Sequence, residues 1–236
     1  MIPFSPLEAH GPHMPIGTDV MVSKRICEEV ASNLSKEGIT TLIYPPQIIG
    51  YCGHTKDFPG SISVDARTLS KVSYDMLESL ARQGFKHIMI VSFHLDPFHL
   101  KAIHISMRKV MRKYKVKVME PLSTLYYSGA LGSEHAGEEE TSIMLHLHPE
   151  LVDEIYRSLK KVETKFSLLD FRRSFEDLGI SDCYLGEPSL ADPEMGKKLF
   201  ERLVDECTRS AKRLIRGEGK IDIPRKIKLL PLFLRR

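Results

Sequence analysis

The chain has 236 residues, with 34 Lys+Arg against 31 Asp+Glu and 42% hydrophobic residues. That is enough for one large domain with a sizeable core, and it excludes wholesale disorder. A net charge of +3 is no nucleic-acid footprint, and no apolar run approaches the ~20 residues of a membrane span.

The opening, MIPFSPLEAHGPH, lacks the basic and apolar regions of a secretory signal. Cys27, Cys52, Cys183 and Cys207 lie far apart with no CxxC pair. Disulfides and Cys-type zinc sites are therefore not expected, and a cytoplasmic location is. A short apolar start at Ile2–Ser5 leads through a Pro- and Gly-rich turn into a helical pattern from Asp19 to about Leu34, stopped by Gly38. ITTLIY, Ile39–Tyr44, reads as a β-branched strand ended by Pro45-Pro46. A loop follows to Ser61, then a helix from about Asp65 to Gln83.

HIMIVS, His87–Ser92, is the clearest buried strand, followed by a basic helix over Phe98–Tyr114. KVKVME, Lys115–Glu120, alternates as a strand should. Glu139–Leu147 reads as a helix opening on acidic residues, and Pro193–Arg216 as a long amphipathic helix with Pro at its start. Strands alternating with helices predict an α/β fold, three layers α/β/α around a mostly parallel sheet. One domain over 1–216 and a basic, apolar tail over 217–236 are expected. In such sheets, ligands sit beyond the carboxyl ends of the strands, and the His-rich stretches fall there.

Three stretches carry candidate chemistry. In the first, Glu8 and His10 stand two apart and point to one side of an extended segment. Asp19 either returns to that side or caps the helix that follows. Carboxylates with an imidazole suit a divalent ion such as zinc or manganese. The second is Ser92-Phe93-His94-Leu95-Asp96-Pro97, where His94 is a ligand candidate and Asp96 is either a ligand or a helix cap. His99 and His104 beyond it read as surface or packing residues. In the third, His135 precedes Glu138, Glu139 and Glu140. With Glu134, these put four glutamates in seven residues, which repel one another unless a cation is near. Glu140 with His135 is the acid/base pair singled out there.

Together these stretches resemble the creatininase (creatinine amidohydrolase) family of metal-dependent hydrolases. EAHGPHMPIGTD, Glu8–Asp19, is similar to its Glu-x-His-Gly-Pro-His-Leu-Pro-x-Gly-Thr-Asp signature. DFPGSISV, HAGEEETSIMLHLHPELV and GEPSLADPEMGKKL resemble three further family blocks. The resemblance implies a homo-oligomer with two divalent ions per chain (Zn, Mn or Fe). Asp19 would bridge them, with Glu8 and His94 on one and His10 on the other. Asp96 stands where creatinine-acting enzymes complete the second site. His135 matches the proton-handling histidine and Glu140 the glutamate beside it, which would orient His135, hold the attacking water or ligate a metal.

Two departures stand out. Most members carry Asn-Gly-His-Gly-Gly-Asn where this chain has Ser92–Pro97, so glycines that give a substrate close backbone access are missing. Leu131 and Gly132 replace a Trp-Asp pair of the creatinine-specific enzymes, and the chain has no Trp. The expected function is hydrolysis of a small amide, cyclic amide or formamide other than creatinine, with no nucleic-acid or membrane partner. Alternatives are a pyrimidine-nucleotide deformylase of flavin-related synthesis, with Lys101, Arg108 and Arg112 as phosphate candidates, and a metal-binding member with little catalysis.

The tail sets basic residues around Leu229, Leu230, Leu232, Phe233 and Leu234. Pro224 and Pro231 oppose a long helix, and such an apolar cluster is rarely left in water. Deleting Lys220–Arg236 should lower the oligomeric state or the thermal midpoint with metal content unchanged. Light scattering and a thermal melt check this.

Overall fold

Three parallel strands form the centre of the molecule, in the order β1 (Ile2–Pro3), β2 (His87–Val91), β3 (Lys117–Met119). The computed structural model describes residues 1–127, 134–164, 170 and 173–218. Ile2 pairs with Ile90 and Ile88 with Val118, so one register runs across the sheet. The helices are α1 (Thr18–Ser35), α2 (Ala66–Arg82), α3 (Pro97–Lys113), α4 (Leu122–Tyr127), α5 (Glu138–Leu147) and α6 (Pro193–Arg216).

Alternation along the strands builds the layers. Ile2, Phe4, Ile88, Ile90 and Val118 face α2 and α3, packing on Leu69, Leu77, Ile103 and Met107. Met89, Val91 and Met119 face the other way, onto Val22, Ile26, Ile143, Leu203 and Cys207 of α1, α5 and α6. This is the three-layer α/β/α arrangement expected from the sequence. His99 and His104 prove to be packing residues, both buried. No helix among the described residues is long and apolar enough to cross a membrane. Helix α6 ends at Arg216 with Gly217 in a left-handed cap. The tail from 219 onward and the Leu131–Gly132 pair lie outside the described residues.

The strand expected over Ile39–Tyr44 does not form. The chain does run beside β1: Tyr44 N donates to Met1 O at 2.8 Å and Gln47 N to Pro3 O at 2.9 Å. But Pro45 and Pro46 remove the two donors in between, so the pairing contracts to one bridge, Phe4 with Gln47. Leu42 is left 65% exposed.

The third layer is tied together where α6 crosses α5. Asp192 caps α6 through Met195 N, and its own N–H donates to Ser142 Oγ at 2.9 Å. A Cβ at Gly196 would land on the Ser142 carbonyl, so glycine permits the crossing that seats α5. Alanine would gain ~1 kcal/mol in helix propensity but push backbone from backbone, an overpacking cost of about 1–3 kcal/mol or more. Gly196→Ala should therefore lower the urea midpoint; an unchanged or raised midpoint contradicts this packing.

Candidate metal centre

Beyond Phe4 the chain leaves the sheet carrying Glu8 and His10. Gly11, at φ +66°, turns it back, and His10 bridges to Met14. A Cβ at Gly11 would meet the His13 ring at 2.7 Å. The turn delivers the chain to α1, whose N-cap is Gly17 with no side-chain bond. Asp19 is thus not the cap. It lies in the first helical turn, buried, where the helix N-terminus favours its charge.

His94 arrives from the end of β2. Phe93 N donates to both Ser5 Oγ (3.1 Å) and Ser23 Oγ (3.0 Å), two hydroxyls 2.7 Å apart, which pins β1, α1 and the exit of β2 to one another. Ser92 Oγ donates to His94 O at 2.9 Å. His135 precedes α5, and Glu140 sits in that helix's first turn with Oε2 accepting Ala136 N at 2.7 Å.

The six side chains meet. Glu8 Oε1 lies 2.9 Å from His94 Nδ1, and Asp19 Oδ2 3.2 Å from the same nitrogen. His10 Nε2 is 3.4 Å from Asp19 Oδ1, 3.7 Å from Glu140 Oε2 and 3.9 Å from Glu8 Oε1. His135 Nδ1 is 3.7 Å from Glu8 Oε1. Glu8, His10 and Asp19 expose 0–3% of their side chains, but His135 exposes 15% and Glu140 19%, so the cluster opens on their side.

Backbone carbonyls fix all three imidazoles. His10 Nδ1–H donates to Glu8 O (3.0 Å), His94 Nε2–H to Tyr51 O (2.8 Å) and His135 Nε2–H to Ala9 O (2.8 Å). A carbonyl only accepts, so in each neutral ring the other nitrogen turns a lone pair toward the carboxylates. This is the usual outer-shell arrangement of metal-ligating histidines. Lone pairs facing carboxylates in a buried site repel unless a cation lies between them.

His10 Nε2 and Asp19 Oδ2 are buried without a well-formed hydrogen bond, which fits a site built to hold metal. Three donor groups, each within 4.8 Å, suit an ion: Glu8 with His10 and His135; His10 with Asp19 and Glu140; and Glu8 with Cys52 and His94.

In the protein alone, protons play the cation. Burial pushes the Glu8 carboxyl up, but the His94 and His135 imidazoles more than reverse this, leaving it at about 2. Burial lowers His10, yet Asp19 beside it carries the ring up to about 10. Asp19 is held well below the carboxylate range by His10, and His94 is raised by Glu8. His135 is pushed down to about 4 by burial and the charge on His10, so it stays neutral. Burial lifts Glu140 to about 7 against the pull of His10.

Asp96 stands apart from the three donor groups. Its Oδ1 accepts Phe98 N (2.7 Å) and His99 N (3.0 Å), capping α3. Two site residues went unnoticed in the sequence, Cys52 and Thr55, whose Oγ1 donates to Glu8 Oε2 at 2.8 Å. Both come from the irregular loop after Gly50, where no periodicity flags a residue. Only their place five and two residues before DFPG could have drawn notice.

The chain has known relatives. A creatininase (creatinine amidohydrolase) family model matches residues 1–211. The chain belongs to the creatininase family. It is 33% identical over 175 residues to a creatinine amidohydrolase of Pseudomonas putida, a match covering 65% of this chain and 65% of that protein. A mycofactocin precursor peptide peptidase of Mycobacterium ulcerans is 27% identical over 88% of this chain and 82% of its own. Among solved structures, a manganese form of creatininase superposes with TM-score 0.71 at 27% identity, covering 90% of this chain and 89% of that one. A Zn–Zn variant creatininase gives 0.70 at 26%, covering 90% and 89%. The creatininase fold thus occurs with manganese and with zinc.

Because His10 and His94 are protonated at neutral pH in the metal-free protein, metal uptake must displace their protons. Loading the chelator-stripped protein with Zn at pH 7 should release at least two protons per chain, and affinity should fall as the pH is lowered. Calorimetry in buffers of different ionisation enthalpy checks this; uptake with no proton release contradicts the assignment.

Proposed function

We propose that this chain is a metal-dependent amidohydrolase that cleaves the C–N bond of a small amide, cyclic amide or formamide. The observation that carries the reading is a buried carboxylate–imidazole cluster, with His10 Nε2 and Asp19 Oδ2 lacking a well-formed hydrogen bond, whose more exposed members are His135 and Glu140. Asp19 turns one oxygen to His10 and the other to His94, which suits a carboxylate shared by two ions. Glu8 and His94 would hold one ion. His10 would hold the other, with Glu140 as its third donor in preference to Asp96, whose Oδ1 is committed to capping α3.

When bound, the ions would supply a water acidified from pKa 15.7 to about 7 and polarise the substrate carbonyl. The chain's part is proton handling. His135, neutral and anchored to Ala9 O, presents Nδ1 to the open side. There it would take the proton of the attacking water and return it to the leaving nitrogen, so that hydroxyl ends on carbon and hydrogen on nitrogen. Thr55 holds Glu8 in place.

A non-catalytic site would have its metals walled off by Phe93, Leu95 and Phe98; Phe93 and Phe98 instead enter opposite cores, which weighs against that alternative. Arg108 and Arg112 are exposed on α3, consistent with a solvated face more than a phosphate clamp. A second reading, cleavage of a peptide amide, draws on the mycofactocin precursor peptide peptidases, whose match runs over 88% of this chain.

The test is a hydrolysis screen of small amides, formamides and short peptides with added Mn or Zn. His135→Gln should lower kcat by roughly 10²–10⁴-fold, the usual worth of a general acid–base group, with metal content unchanged. Asp19→Ala should lose both metal and activity. Metal-free Asp19→Ala protein with full activity would sink the proposal.

A further inference from the structure

One donor group contains a thiol. Cys52 is 2% exposed, and its Sγ, a Glu8 carboxylate oxygen and a His94 ring nitrogen all lie within 4.8 Å of one another. The sulfur contacts Ile62 O at 4.0 Å and hydrogen-bonds the Glu8 side chain, so it already faces the donor group. Its backbone is held firmly, Cys52 N donating to Ser63 Oγ at 2.9 Å, and the preceding residue supplies the carbonyl that fixes the His94 tautomer. One dipeptide, Tyr51-Cys52, therefore orients one ligand and offers a second.

We infer that Cys52 is a protein ligand of the ion held by Glu8 and His94, making that half of the centre a sulfur–nitrogen–oxygen site. The inference rests on the metal-dependent reading above. Coordination is balanced simply: the metal–sulfur bond forms, the S–H bond breaks, and the proton leaves to solvent, since a coordinating thiol is deprotonated outright. Zn–S, Zn–N and Zn–O bonds of about 2.3, 2.0–2.1 and 2.0–2.2 Å would draw the three donors together by small side-chain rotations. A thiolate shifts the preference of this half from manganese, which favours oxygen ligands, toward zinc, iron or cobalt. The His10–Asp19–Glu140 half has no sulfur and keeps a harder donor set. The two halves should then differ in metal preference.

Cobalt(II) titration of the full-length, chelator-stripped protein tests this. The wild type should develop visible ligand-field bands together with a near-ultraviolet thiolate-to-cobalt charge-transfer band. Cys52→Ser should keep the visible bands and lose the charge-transfer band. Cys183→Ser, altering a buried thiol outside the donor groups, should keep both. Competition on wild type and Cys52→Ser should show the zinc-over-manganese preference falling roughly tenfold or more, the loss expected even of an outer-shell partner.

Visible bands without charge transfer in the wild type would overturn the sulfur ligand while leaving the metal centre standing. No cobalt spectrum at all would overturn both. If Cys52→Ser fails to fold, X-ray absorption on the zinc-loaded wild type decides: a sulfur scatterer at about 2.3 Å supports the inference, and an all-N/O shell ends it.

Discussion

Three carboxylates converge on one buried imidazole nitrogen. Glu8, Asp19 and Glu140 stand 3.9, 3.4 and 3.7 Å from His10 Nε2, in a place where each charge alone would be costly to bury. A cation at their centre would make the arrangement tenable, and much of the surrounding structure serves to hold the four groups at that distance. Their origins are far apart in sequence: the exit of β1, the first turn of α1 and the first turn of α5. They meet only if the sheet, α1 and α5 dock in one relative position.

That docking has identifiable causes. The Ser5–Ser23 hydroxyl pair and Phe93 N lock β1, α1 and β2 at their functional ends. Alternating Ile/Val/Met side chains on the strands commit one face to α2 and α3 and the other to α1, α5 and α6. His13 Nε2 and Thr141 Oγ1 meet at 2.9 Å, linking the Gly11 turn to the helix that carries Glu140. Tight packing makes a small shift of one element felt at the others. The site is therefore a property of the packed layers, more than of any single loop.

Much of this was legible in the sequence because it rests on period and spacing. HIMIVS has the run of a buried strand, Pro193 and Gly217 bracket α6, and Glu8-x-His10 puts two side chains on one side of an extended segment. ITTLIY misled because its composition suits a strand while the prolines after it deny the ladder its donors. Asp96 shares with His94 the spacing that unites Glu8 and His10, but Pro97 starts a helix at once and draws the carboxylate to the helix amides. Cys52 and Thr55 were illegible for a different reason. Nothing local announces a loop residue that reaches Glu8, and that contact exists only after Gly50 bridges to Ser63.

The departure from the family at Ser92–Pro97 can now be given physical content. Glycines at this loop would leave backbone amides open to a substrate. Here Phe93 N is taken by two serines, and Phe98 and His99 N are taken by Asp96. Phe93 itself is buried in the core beside α1. These three amides are spent on holding the fold. On the opposite rim His135 lies 5.4 Å from the Phe175 ring, which in turn stacks on His54 at 5.3 Å. An aromatic wall with one imidazole nitrogen facing the carboxylate cluster grips by shape and apolar area more than by hydrogen bonds. Discrimination built that way separates ligands by bulk more readily than by a missing polar group.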